Sequence, residues 1–192
     1  EWQLSQEINV SNEAGEVIAK AEIELLTLNK HRDALATYQL LANDATDWEI
    51  PLNIYFKKQN LTGDLCQELN VAASTKAQTH ILIEAISVLP EFRKQGVATY
   101  LLQEIAKKHT KIQSLSVLSL AMNTFVDAEH CETQENTDYY TKLDLANETL
   151  ARPELRCFFE SSGFTAIKVD EDALVEPLQF DIFVASPASI LA

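Results

Sequence analysis

ILIEAISVLPEFRKQGVATYLL, residues 81–102 of a 192-residue chain, decides how the rest is read. Residues 81–89 are apolar on both alternating faces, which predicts a strand at the centre of a sheet. One carboxylate, Glu84, interrupts them, and a buried charge is costly unless it is paired or used. Pro90 stops the strand. A basic, glycine-containing turn follows, and residues 96–109 then read as an amphipathic helix. Val97, Leu101 and Ile105 form one stripe beside Ala98, Leu102 and Ala106, while Gln103, Glu104, Lys107 and Lys108 face away.

Downstream, residues 112–121 (IQSLSVLSLA) are a second apolar strand. Strand, helix, strand implies a right-handed crossover and locally parallel pairing. A polar stretch covers about 122–150. ELRCFFESSGF then reads as a short helix ending at Gly163, and FTAIKV and DIFVAS as closing strands. Upstream, residues 3–10 and 16–28 are two strands around the turn-like SNEAG. In the second of them Val17, Ala19, Ala21, Ile23 and Leu25 alternate with Glu16, Glu22 and Glu24, the period of a half-exposed antiparallel strand. Helical spacing is expected from Arg32 to Trp48, in LNIYFKKQNL after Pro51, and in DLCQELNVA after Gly63. The sum is one α+β domain over residues 1–192: a central mixed, mostly antiparallel sheet flanked by helices.

The turn PEFRKQGVA has a physical reading of its own. A helix that starts straight after a strand presents free backbone N–H groups, and with the helix dipole these make an anion site. Gly96 permits unusual backbone angles and close approach, and Ala98 keeps the first turn accessible. Arg93 and Lys94 add positive charge to an acidic chain. A phosphate or pyrophosphate suits this place. The stretch is neither the P-loop pattern nor the dinucleotide G-x-G-x-x-G. The plainer reading is an ordinary strand-to-helix turn with a surface arginine, and the hexapeptide by itself leaves both open.

These residues resemble the GNAT superfamily of acetyl-CoA-dependent N-acetyltransferases. That pattern is a strand ending V-x-P, then [RQ]-x-x-G-x-[GA], then a helix. Here it reads Val88-Leu89-Pro90, then Arg93-Lys94-Gln95-Gly96-Val97-Ala98, then TYLLQEIAKK. The later Phe158-Phe159-Glu160-Ser161-Ser162-Gly163-Phe164 resembles another family element. The similarity spans roughly 79–186, with a divergent hairpin and helices over 1–78. It implies that amides of Arg93, Lys94, Gln95, Gly96, Val97 and Ala98 hold the coenzyme A pyrophosphate. It implies that the strand from Ile86 to Leu89 pairs with the pantetheine arm, and that the Val88 amide faces the thioester carbonyl and stabilises the oxyanion.

Glu84 then acquires an expected role. An alkylammonium with a pKa of about 10.4 must lose a proton before attacking a thioester. A carboxylate desolvated in an apolar strand is a suitable base, directly or through water. Even parity along a regular strand puts Glu84, Ile86 and Val88 on one face. The alternative is a glutamate paired with a buried cation.

The chain departs from the pattern where many members carry a tyrosine that protonates the leaving thiolate. Phe159 stands there, and offers the cofactor only an apolar contact. Tyr139, Tyr140 or a water must then supply the proton, or the thiolate leaves unaided, or activity is lost. Two functions follow as expectations. One is acetyl transfer from acetyl-CoA to a primary amine by direct attack, without a covalent enzyme intermediate. The other is a degenerate acyl-CoA-binding sensor or interaction module.

Charge bears on the partner. The net charge is −14, a field that repels nucleic acid and anionic membrane and attracts cations. Over residues 122–151, Asp127, Glu129, Glu132, Glu135, Asp138, Asp144 and Glu148 stand against the single basic Lys142. A cationic small molecule or peptide amine fits such a segment; a solvated acidic loop is the bland alternative. Cys66, Cys131 and Cys157 form no C-x-x-C pair, read as small hydrophobes in a reducing, cytoplasmic setting, and suggest no metal site. EWQLSQEINV has neither the basic nor the apolar region of a secretory leader, and no apolar run is long enough to cross a bilayer. An exposed edge strand among the C-terminal residues offers a surface for a homodimer. His80 near a strand start is expected to be structural.

Overall fold

The structure, a computed structural model, describes residues 3–28, 48, 56–57, 60–61, 63–71, 78–119, 134–144, 148–168 and 180–192. The elements are β1 (Gln3–Ser11), β2 (Val17–Leu28), β3 (Phe56–Lys57), β4 (Asn60–Leu61), α1 (Gly63–Glu68), β5 (Gln78–Val88), a 3₁₀ turn (Pro90–Phe92), α2 (Val97–Lys108), β6 (Ser114–Ser119), α3 (Gln134–Thr141), α4 (Glu148–Ser161), β7 (Thr165–Ala166), β8 (Asp181–Ala185) and α5 (Pro187–Leu191). Six strands form one sheet in the order β1-β2-β5-β6-β8-β7. Every neighbouring pair is antiparallel except β5 and β6, the parallel pair expected from the crossover.

Local chemistry explains the hairpin at the start. The Asn12 side-chain oxygen accepts from the amides of Ala14 and Glu16, each at 3.0 Å. Gly15 takes φ +81° and donates to the Asn12 carbonyl at 2.9 Å. This is an Asx-type turn closed by a left-handed glycine. Alternation then sorts β2. Ala19, Ala21 and Ile23 turn to one face with Ile81, Ile83, Leu115, Val117 and Phe183, beneath Leu101, Leu102, Ile105 and Ala106 of α2 and Phe159 of α4. Leu26 and Leu28 turn to the other face with Leu82, Leu118, Ile182, Trp48, Leu65 of α1 and Leu69 just past its end. Ile81, Leu82 and Ile83 are each fully buried, as a central strand requires.

Four expectations need correction or limits. LNIYFKKQNL is not helical where described: Phe56 pairs with Leu61 and Lys57 with Asn60 in a two-stranded ladder, too short to leave a period-two signal. The helix read from 154 onward begins at Glu148 and carries Pro153 inside it. An interior proline removes one backbone bond and crowds the preceding turn; here Arg152 forks onto both Asp181 carboxylate oxygens, at 3.0 and 3.3 Å, and ties that turn to β8. The polar stretch contains α3. The helix expected from Arg32 lies outside the described residues apart from Trp48, which is buried.

Candidate active site

β5 and β6 separate. Their pairing runs only from His80–Ser114 to Ile83–Val117, while β5 stays paired with β2 as far as Val88–Ala19. Beyond Ile83, the edge of β5 toward β6 carries no ladder among the described residues. At the point of parting, the β2–β5 register shifts: Ile23 faces Ile83, Glu22 faces Ala85, and Glu84 is the extra residue of a bulge. A bulge bends and twists its strand, which steers the end of β5 away from β6.

Alternation fixes what that free edge offers. The Leu89 amide donates to Ile18 at 2.9 Å, so residue 89 faces β2, and so does 87 in the alternating antiparallel pattern. The N–H and C=O groups of Ile86 and Val88 therefore point to the vacated edge. Of these the Val88 carbonyl accepts from Arg93 Nε at 3.0 Å, which leaves both groups of Ile86 and the Val88 N–H for an extended ligand. Leu89 cannot join them through its amide. Its carbonyl accepts from Phe92 at 2.9 Å and its side chain is buried with Tyr139 and Leu143.

The turn beyond is built for open backbone. Lys94 and Gly96 both lie in the left-handed region, at φ +58° and +82°. The first bond of α2 runs from the Tyr100 amide to the Gly96 carbonyl at 2.8 Å, so the amides of residues 96–99 precede the helical ladder and lack intrahelical acceptors. No atom lies within 4 Å of where a Gly96 side chain would project. Open amides at a helix start suit a pyrophosphate. Gln95 donates to the Glu91 carbonyl at 2.6 Å, and the exposed Lys94 lies 3.6 Å from Glu154.

Arg93 spends its amide on the Pro90 carbonyl at 3.2 Å, where the resemblance implies an open N–H. Its Nε donates to the Val88 carbonyl at 3.0 Å, and its terminal nitrogens reach the Leu143 and Asp144 carbonyls just past the end of α3. A cation at a helix C-terminus complements the dipole. The end of α3 is thereby fastened to the turn. Its two tyrosines complete the attachment. Tyr139 OH donates to the Ser87 carbonyl at 3.2 Å and lies 3.1 Å from Ser87 Oγ. Tyr140 OH donates to Glu22 at 2.8 Å. The ammonium of Lys20, itself buried, lies 5.1 Å from the Tyr139 ring centroid, within cation–π range. Burial raises the Tyr139 pKa against the lowering effect of Ser87; burial and then Glu22 raise that of Tyr140. Both stay protonated donors at neutral pH. The tyrosines were visible in sequence, but Lys20, Glu22 and Ser87 were not, because only the strand register brings them under α3.

The structure relocates several sequence-predicted groups. Glu84 is exposed rather than desolvated. The bulge breaks the even parity: Ile83, Ile86 and Val88 share the α2-covered face, and Glu84 does not alternate with them. Phe159 is 2% exposed, packed edge-on against Phe164 and tilted against Phe183 at centroid distances of 5.5 and 5.3 Å. Cys66 is buried, with its thiol pKa raised by burial, but Cys157 is exposed and does not pack as a small hydrophobe. His80 is fully buried and bonds Ser114 Oγ through Nδ1 at 2.9 Å; burial pushes its pKa down to about 3. Among the described residues no cluster of ligand side chains could hold a metal ion, and no helix is long and apolar enough to cross a membrane.

Comparison with known proteins finds one family match. Residues 62–131 match the model of the acetyltransferase (GNAT) family, a span that holds β5, the turn, α2 and β6. No curated protein sequence matches the chain. Among solved structures, a bacterial toxin superposes with TM-score 0.43 and 10% identity, over 93% of this chain and 65% of its own. Naa20 of Chaetomium thermophilum, in complex with a bisubstrate analogue, gives 0.42 and 11%, over 95% and 66%. NAA60 of Arabidopsis thaliana, in complex with acetyl-CoA, gives 0.37 and 13%, over 90% and 66%. The chain thus spans slightly less than two thirds of the length of each of these three.

Proposed function

We propose that this chain, whose residues 62–131 match the acetyltransferase (GNAT) family, transfers an acetyl group from acetyl-CoA to a primary amine by direct attack. One observation carries the reading: the free edge of β5 at Ile86 and Val88 runs straight into a helix start with open amides at residues 96–99. An extended ligand with a pyrophosphate at one end and an amide-bearing arm at the other matches that pair of features. Gly96, Val97 and Ala98 hold the pyrophosphate; Ile86 and Val88 hold the arm; the thioester supplies an activated acyl carbon. The Val88 amide donates to the oxygen on which negative charge develops. Glu84, exposed at the bulge where the strands part, takes the proton from the incoming amine through water.

The acceptor is a cationic amine of a small molecule or peptide. The net charge of −14 and the acidic composition of residues 127–148 support this. Tyr139 and Tyr140 carry the only phenols of α3 and hold protons near the end of β5. A second reading is favoured by Phe159, whose burial among aromatic rings leaves no proton donor at the usual tyrosine position. In that reading the chain binds acyl-CoA without turnover, as a sensor or interaction module.

The test begins with melting temperature in acetyl-CoA, coenzyme A and ATP. A ligand at 100-fold excess over its dissociation constant stabilises the folded state by about 2.7 kcal/mol. A rise with the first two and not with ATP supports coenzyme binding, and release of free thiol on adding polyamines or amino sugars then separates enzyme from sensor. No rise with any of them overturns both readings.

A further inference from the structure

The peptide unit that carries the Val88 amide is held from behind. Its carbonyl belongs to Ser87, and that oxygen accepts the Tyr139 hydroxyl at 3.2 Å. The next carbonyl, that of Val88, accepts Arg93 Nε at 3.0 Å. Both donors are fixed by α3: Tyr139 sits on the helix, and Arg93 is anchored to the carbonyls of Leu143 and Asp144 just beyond it. Hydrogen bonds polarise one another along a chain. A donor on the carbonyl of a peptide draws electron density from its nitrogen and strengthens the N–H on the opposite side. The Ser87 carbonyl points toward β2 and the Val88 N–H toward the vacated edge, the arrangement in which that transfer operates.

We propose that Tyr139 is a positioning residue for acyl transfer, acting through the Ser87–Val88 peptide to orient and polarise the Val88 N–H. The inference rests on the acetyl-CoA reading above. With the phenol proton on the Ser87 carbonyl, Ser87 Oγ, 3.1 Å from the phenol oxygen, is left as the donor of that pair and keeps the proton aimed there. The buried Lys20 ammonium beside the ring deepens the polarisation. No proton leaves Tyr139: its pKa is raised by burial, and its contribution is electrostatic.

The experiment uses the full chain with acetyl-CoA labelled with ¹³C at the acyl carbonyl. Infrared difference spectra report the carbonyl stretch of the bound thioester, and melting temperature reports binding. Wild type shifts the stretch to lower frequency. Tyr139→Phe binds acetyl-CoA within about twofold of wild type but returns the stretch part of the way toward the free value, and any amine turnover falls about three- to tenfold in kcat with little change in KM. Ser87→Ala, which removes only the group that aims the phenol, gives a smaller shift in the same direction. An unchanged stretch in Tyr139→Phe with retained binding overturns the inference and leaves the coenzyme reading standing. Failure of wild type to bind acetyl-CoA overturns both.

Discussion

Three glycines with positive φ show how one backbone geometry serves different ends. A side chain at Gly163 would meet the Ser189 carbonyl oxygen at 2.2 Å, against backbone that cannot swing aside. At Gly96 it would meet open space. Gly163→Ala therefore combines left-handed strain with a clash, and we expect a loss of about 2–4 kcal/mol in denaturant unfolding. Gly96→Ala is expected to cost only about 1 kcal/mol of stability while weakening acetyl-CoA binding measured by titration calorimetry. Equal stability losses for the two would contradict the view that Gly96 faces ligand and Gly163 faces protein. His80 is the residue with the clearest pH signature. Held neutral in the fold with its pKa pushed down to about 3, it takes up a proton only on unfolding. Its contribution is constant above the ordinary histidine range and is lost as pH falls below about 6.5, at up to about 1.4 kcal/mol per pH unit. The difference between wild type and His80→Gln in urea midpoints from pH 7 to 5 isolates that slope, which should vanish in the variant.

At the scale of elements, α3 is a short helix held by a few polar contacts to β2, β5 and the turn. Arg93 supplies the attachment at its C-terminal end, so Arg93→Met should speed amide hydrogen exchange at residues 139–143 by about tenfold or more and leave α2 protected. Unchanged exchange there would mean that the tyrosines alone hold the helix. The same elements show what sequence makes legible. β2, β5, α2 and β6 declare themselves because each repeats a period long enough to count, and Pro90 and Gly96 punctuate them. Phe56–Lys57 and Asn60–Leu61 are too short to repeat anything. Glu84 stands out in ILIEAISVL as the one carboxylate, but a lone charge does not say that the strand bulges there; only pairing with β2 reveals it. The open amides of the turn were legible because a strand, a proline and a glycine fix them locally. The Arg93 and Tyr139 contacts join residues about fifty positions apart, beyond any local pattern.

For the whole molecule, a net charge of −14 concentrates cations near its surface. If the acceptor is cationic, kcat/KM should fall severalfold between 20 and 300 mM salt as the Debye length contracts from roughly 20 to 6 Å, and a neutral acceptor of similar size should show little dependence. A flat profile for both would detach the charge from substrate choice. Apolar packing links all parts of the sheet: the face beneath α2 draws on β2, β5, β6 and β8 together.

The seam between β5 and β6 has a mechanical consequence. Among the described residues four ladder pairs, 80–83 against 114–117, with the Gln113 amide on the Thr79 carbonyl beside them, join β1-β2-β5 to β6-β8-β7. The sheet is therefore two leaves on a short spine, like a book bound along part of its back. Beyond that spine the leaves share no ladder among the described residues, and what joins them there is side-chain packing. Side chains of α2 and α4 lie across both leaves, so the angle between the leaves is held by that packing and not by backbone hydrogen bonds past residue 83.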